Sequence, residues 1–105
     1  MTGPSRRRVA ARNRVKCRTW FRRYRARINA GMELCRQCGT RSAELRLAHL
    51  VAHAAGGPYR LDNLTILCEP CDVRQGTRPS LLRSLADEER EYGVPIWPQP
   101  DEATG

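Results

Sequence analysis

The sequence predicts a small α+β fold: a short two-stranded core stapled by one metal site, with an N-terminal basic helix on one side and a C-terminal helix on the other. Three observations predict it. Two Cys-x-x-Cys pairs, Cys35 with Cys38 and Cys68 with Cys71, are separated by 29 residues. Apolar residues recur at helical spacing near both ends of the chain and partly alternate in the middle. Core material is thin, since only 40% of the 105 residues are hydrophobic and one Phe, two Trp and three Tyr are the whole aromatic complement. A chain of this size with so little to bury needs a staple.

The elements follow in order. Residues 6–27 hold eleven of the nineteen Lys and Arg residues and no acid. Within and just beyond them Cys17, Trp20, Phe21, Tyr24 and Ile28 recur at three- and four-residue spacing, which predicts a basic amphipathic helix over roughly 8–30. Gly31 is its expected stop, because glycine takes the left-handed conformation at C′. Residues 34–39 read as a metal-binding knuckle, 45–52 as a strand, 54–58 as a loop and 64–67 as a second strand running into Cys68-Glu69-Pro70-Cys71. A short helix is expected over about 69–76. Pro79-Ser80 then opens a further helical pattern, with Leu81, Leu82, Leu85 and Ala86 apolar, that ends near Gly93. The organisation expected is 1–31 (disordered start plus basic helix), 32–78 (stapled core), 79–93 (C-terminal helix) and 94–105 (a Pro-rich tail, extended or loose).

The four paired cysteines carry the most specific signal. Each Cys-x-x-Cys turn places two sulfurs on one edge of a tetrahedron, and two turns close the shell that Zn²⁺ prefers. A shell of four thiolates has no open position for water, so this metal is expected to be structural. The competing reading, two redox dithiols or plain buried cysteines, does not account for the turn-like setting of both pairs. Cys17 falls on the apolar face of the first helix and is expected in the core.

Charge bounds the partners. The formal net charge is +8 and the pI about 10.1, which favours a polyanion. No apolar run is long enough to span a bilayer. The N-terminal stretch has no apolar h-region of a secretory signal, and although it is Arg-rich it is too poor in Ser for a transit peptide. The chain is expected in the cytoplasm, where thiols stay reduced and paired cysteines hold metal. The acidic run Asp87, Glu88, Glu89, Glu91 is a candidate contact for a protein partner or for self-association.

Between the cysteine pairs lie the only two histidines, His49 and His53, then Gly56-Gly57 and Asp62-Asn63-Leu64; Asp72 directly follows the last cysteine. Singly, each has a plain structural explanation: a satisfied histidine, a turn, a helix cap. The ordered string is more specific. Leu-Arg-Leu-Ala-His-Leu-Val-Ala-His-Ala-Ala-Gly-Gly followed by Leu-Asp-Asn-Leu-Thr-Ile-Leu-Cys-Glu-Pro-Cys-Asp-Val-Arg-Gln-Gly resembles the HNH endonuclease family over about residues 34–76. That family has a His at the end of a first strand, a Gly-Gly loop, an Asn-Leu before a second strand, and Leu-Cys-x-x-Cys followed by His or Asn.

The resemblance implies a ββα-metal core, treble-clef-like, in which a hairpin and a helix pinch a divalent cation against the scissile phosphate. It implies that His49 is the general base, that Asn63 ties down the loop and so orients the strand bearing His49, and that Asp72 is a ligand for Mg²⁺ or Mn²⁺. Many members have Asp or His just before the base as a second ligand, where this chain has Ala48; His53 is the candidate to replace it. A Lys common after the last motif is replaced by Gln75, and Arg74 could take its phosphate contact. Small members of the family are often encoded by phages or mobile elements, which places the expected site of action in a bacterial host cell.

The function expected is therefore a metal-dependent DNA endonuclease that nicks or cuts with low sequence specificity. Arg18, Arg22, Arg23 and Arg25 of the first helix, with Arg46 and Arg74 around the hairpin, are the candidate DNA contacts; Arg60 and Arg78 flank the same segment. Such residues meet phosphates and carry no sequence information. The alternative, left open by Ala48, is a catalytically inactive zinc-ribbon module that binds DNA or bridges proteins.

Overall fold

A computed structural model of the chain describes residues 18–41 and 44–97. Its elements are α1 (Thr19–Asn29), β1 (Leu45–His49), β2 (Leu64–Cys68), α2 (Glu69–Gln75) and α3 (Leu85–Tyr92), with 3-10 turns at His53–Ala55 and Leu61–Asn63. The expected start of the basic helix before residue 18, and Cys17 with it, lie outside the described residues.

α1 stops where glycine allows. Gly31 has φ +72°, Gly31 N–H donates to Ile28 C=O at 3.1 Å and Met32 N–H to Arg27 C=O at 2.9 Å. That pair of bonds is the Schellman arrangement, which satisfies carbonyls left over at the helix end.

β1 and β2 form a two-stranded antiparallel sheet in which Leu45 faces Cys68, Leu47 faces Ile66 and His49 faces Leu64. All five residues of β2 are buried, without the alternation of a half-exposed strand, because both faces are covered. α2 packs on both strands, α1 on β1, and α3 on β2 and on the turn at Leu61–Asn63. The core gathers Tyr24, Cys35, Leu45, Ala48, Ile66, Leu67, Cys68, Cys71 and Leu85. Two strands alone would be marginal in water; the helices and the cysteine site make the sheet viable.

Two expectations are corrected. β1 ends at His49 rather than near 52. Beyond it the Asn63 side chain takes over the pairing of Val51, and the chain turns into the 3-10 turn at His53. The C-terminal helix begins at Leu85, not at Pro79. Ser84 caps it by accepting Asp87 N–H at 3.0 Å, while Ser80 N–H donates to Leu50 C=O at 2.9 Å and ties residues 79–84 to the end of β1. Leu81, counted on the apolar face of that helix, is fully exposed. The tail, expected extended or loose, is held to the rest of the chain as far as Trp97. Its ring meets Tyr24 edge-on at 5.1 Å, and Arg27 donates to the Ile96 carbonyl.

The flanks are joined to the core by buried charge. Glu33 is 6% exposed and accepts from Arg27 at 2.7 Å and Arg36 at 2.9 Å. Arg36 also makes a two-pronged pair with Glu88 of α3, both contacts at 2.9 Å. Burial disfavours the guanidinium charge, but the hydrogen bonds and charges of Glu88 and Glu33 outweigh it and strengthen its hold on the proton. Tyr24 O–H donates to Glu89 at 2.8 Å, and burial with that contact raises its pKa. With Asp87 paired to Arg90 and Glu91 to Arg83, the whole acidic run is engaged within the chain.

Candidate active site and metal centre

The knuckle of residues 34–39 and the start of α2 bring the four paired cysteines together. Their sulfurs all lie within 4.8 Å of one another, with Cys38 Sγ 3.7 Å from Cys68 Sγ. Four sulfurs about 2.3 Å from a central Zn²⁺ would stand ~3.8 Å apart along each tetrahedral edge, so the set fits that ion. The local chemistry favours a thiolate at Cys35, whereas burial and the neighbouring Cys68 push the Cys71 thiol up to about 12. Burial raises the Cys35 pKa, but backbone N–H groups around it prevail and bring it down to about 6. Gln37 and Cys38 N–H each donate to Cys35 Sγ at 3.4 Å, and Arg74 donates to Cys71 Sγ at 3.3 Å. Among the described residues no other cluster of three or more His, Cys, Asp or Glu side chains converges in this way.

The site also holds the hairpin in place. Arg36 N–H, within the knuckle, donates to Ile66 C=O at 2.9 Å, so the first pair of cysteines is docked directly on β2. Cys68 ends β2 and forms the N-cap of α2. Pro70 in the first turn suits a helix start, where no N–H is needed.

At the far end of the hairpin stands His49. Its ring packs edge-on against Tyr59 at 4.3 Å, and His53 lies 6.1 Å away with Tyr59 5.3 Å from it. His49 Nε2 and His53 Nδ1 are buried with no hydrogen-bond partner. A buried polar atom left unpaired costs about 1–3 kcal/mol, so two in one place fit a site awaiting a ligand. Burial lowers the His49 pKa, the neighbouring His53 lowers it further, and Asp72 pulls it the other way. The imidazole is thus held neutral, able to accept a proton near pH 7.

Asn63 is 7% exposed and spends its amide on the loop. Its Oδ1 accepts from Val51 N–H at 3.0 Å, and its Nδ2 donates to Val51 C=O at 3.1 Å and Pro58 C=O at 3.0 Å. The loop fits only with glycine at position 57, where a Cβ would stand 1.8 Å from the Val51 oxygen and 2.8 Å from Asn63 Nδ2.

Asp72, in α2, is half-buried and pairs with Arg46 of β1 at 3.4 Å; Arg46 also reaches Glu69 at 3.4 Å. Ala48 is buried in the core and offers no ligand atom. His53, its ring 6.1 Å from that of His49, and Asp72, whose charge acts on His49, do not converge with it into a ligand cluster among the described residues. One or two protein ligands plus water are an ordinary complement for Mg²⁺.

The remaining predicted contacts divide in two. Arg18, Arg22 and Arg23 are exposed on α1, Arg23 lying 5.5 Å over the Trp97 ring. Arg25, Arg46 and Arg74 are engaged with Leu45 C=O, with two carboxylates and with a cysteine sulfur. Sequence reasoning missed Tyr59, which stands between the two histidines, and the acidic partners of Arg46. No period or motif marks Tyr59; only the position of Gly57-Pro58 just before it hints at a fixed loop.

No helix among the described residues is long and apolar enough to cross a membrane. Comparison with curated proteins and with solved structures returned no match. Residues 34–78 match the model of a family described as HNH endonuclease, whose members are generally nucleases. The two-stranded sheet, the helix that follows it and the four-cysteine metal site agree with the ββα-metal core of that family over residues 34–78.

Proposed function

We propose that the chain is a metal-dependent DNA endonuclease that hydrolyses phosphodiester bonds, nicking or cutting with low sequence specificity. The observation that carries this reading is the setting of His49: a neutral imidazole at the end of β1, beside a loop locked by Asn63 and within electrostatic reach of Asp72.

His49 takes the proton from the attacking water. Asn63 does not touch the reacting atoms; it holds the 50–58 segment and so fixes the direction of the His49 ring. Asp72 and His53 would hold Mg²⁺ or Mn²⁺, which would supply positive charge to stabilise the phosphate and the leaving oxygen. Zn²⁺ on Cys35, Cys38, Cys68 and Cys71 sets the spacing between the strand bearing His49 and the helix bearing Asp72. Arg18, Arg22, Arg23 and Arg25, with Arg46 and Arg74 once released from their present partners, meet the DNA phosphates, so binding falls steeply with salt.

Ala48, and the pairing of Asp72 with Arg46, favour one competing reading: a domain that binds DNA without cutting it. Plasmid cleavage with added Mg²⁺ or Mn²⁺ separates the two. The endonuclease reading expects His49→Ala to slow cleavage by ~10²–10⁴-fold, the usual worth of a general base. Equal background cleavage by both proteins under every divalent ion would leave the binding module.

A further inference from the structure

An open cleft of about 500 Å³ borders the candidate site, lined by Arg18, Trp20, Tyr59, Arg60, Asp62 and Arg90 among others. That size falls within the ~300–1,000 Å³ of ordinary ligand sites. Its composition is unusual for a solvated surface. Trp20 belongs to the apolar face of α1, yet it is not part of the core that Tyr24, Ile28 and Trp97 join. It stays half-buried, edge-on to Phe21 at 6.0 Å. Tyr59 leans on His49 and His53, and its hydroxyl has no protein partner among the described residues.

The charge around these rings is positive, with three arginines against one aspartate in the named lining. Arg60 pairs with Asp62 at 2.9 Å and Arg90 with Asp87, while the Arg18 side chain makes no hydrogen bond or ion pair among the described residues. Aromatic faces interleaved with arginines are the means by which proteins hold unpaired nucleotides: bases stack and phosphates pair. A duplex presents only its phosphates to such a cleft and leaves the aromatic faces unused.

We infer that this cleft takes an unpaired nucleotide of a DNA strand, its base stacked on Trp20 and Tyr59 and its phosphates met by Arg18, Arg60 and Arg90. Because Tyr59 also touches His49, the unpaired nucleotide lies next to the bond to be cut. The preferred substrate is then a flap, overhang or single strand rather than a continuous duplex. This rests on the nuclease reading for its meaning, though the binding itself does not.

The test measures binding by the zinc-loaded protein, without added Mg²⁺ or Mn²⁺, to three probes: a short oligothymidylate, a blunt duplex, and the same duplex carrying an oligothymidylate flap. The flap and the single strand should bind more tightly than the blunt duplex. Trp20→Ala should weaken both by roughly 5- to 150-fold, the equivalent of ~1–3 kcal/mol per stacked base, and leave the blunt duplex unchanged. Trp20→Phe keeps a stacking face and should retain most of the preference. Trp20→Leu keeps bulk without that face and should lose it, which guards against a folding defect in the alanine variant. Arg60→Ala should weaken all three probes and lower the salt slope by about 1. The inference is overturned if the probes bind alike, or if Trp20 variants weaken the blunt duplex as much as the flap. Cleavage of the flap by wild type and His49→Ala is scored separately. No cleavage there, with Trp20-dependent binding intact, sinks the nuclease reading and leaves the cleft standing.

Discussion

The side chain of Asn63 closes both ends of Val51, accepting from its N–H at 3.0 Å and donating to its C=O at 3.1 Å. A side-chain amide here does the work of a third strand. Its neighbour Leu50 is held as well, Leu50 N–H donating to the Asn63 carbonyl at 2.8 Å. The segment that follows His49 is therefore held by one residue fourteen positions further along the chain than His49.

Asn63→Ala should destabilise the domain by about 3 kcal/mol, since it removes three hydrogen bonds made by a buried side chain at about 1 kcal/mol each. Asn63→Asp should do no better, because it turns a donor that faced two carbonyls into an acceptor. Gly57→Ala forces a methyl group into the Val51 carbonyl and should cost at least the ~1–3 kcal/mol typical of overpacking. Urea denaturation of the zinc-loaded variants reads all three; a Gly57→Ala protein as stable as wild type would contradict this loop geometry.

Metal removal should act through the fold. Structural zinc supplies on the order of 10–16 kcal/mol of apparent binding free energy in small domains, more than a core this thin replaces. A chelator selective for zinc should abolish the far-UV signal of the folded domain. Excess Mg²⁺ should not restore it and Zn²⁺ should. Cys38→Ser, at the most exposed of the four ligands, should lower zinc content and stability together. A chelated protein that keeps its spectrum would show that the cysteines are dispensable.

Arg36 joins the knuckle to α3, and its removal strands Glu33 in the interior. Arg36→Met should cost on the order of 3 kcal/mol, as expected when one member of a largely buried ion-pair group is deleted. Adding Glu88→Gln should recover little, because Glu33, with 5% of its side chain exposed, keeps only Arg27. A double-mutant cycle in denaturant measures the coupling; additivity would mean that the Arg36–Glu88 contact contributes nothing.

The pH dependence follows from His49. Burial first, then the nearby His53, hold its pKa below the ordinary imidazole value of about 6.5. The acid limb of kcat/KM for DNA cleavage should therefore fall below that value. The same shift has a stability consequence. The unfolded chain binds the His49 proton more readily than the folded one, so this group's share of stability is complete above pH ~6.5 and declines as pH falls toward the depressed folded value. An acid limb above that value would mean that another group, or a charged His49, governs the rate.

How much of this was legible beforehand depends on how local the information is. The Cys-x-x-Cys turns, the stop at Gly31, the strand before Cys68 and the helix carrying Asp72 are short-range features. Turn chemistry and apolar period act over a few residues, so the chain by itself determined them, along with the metal centre and the HNH resemblance. Contacts between distant residues were another matter. The period of Leu81, Leu82 and Leu85 is helical on paper, yet Ser84 caps the helix and Ser80 is tied to Leu50, because tertiary hydrogen bonds outweigh a weak local preference. The acidic run, read as a surface for a partner, is also met from within the chain by Arg36, Tyr24, Arg83 and Arg90. Only tertiary structure could place Tyr59 against His49, turn Trp20 away from the core and set Asp72 beside Arg46. Each of those depends on which faces pack once the helices close over the sheet, and no spacing along the chain encodes that.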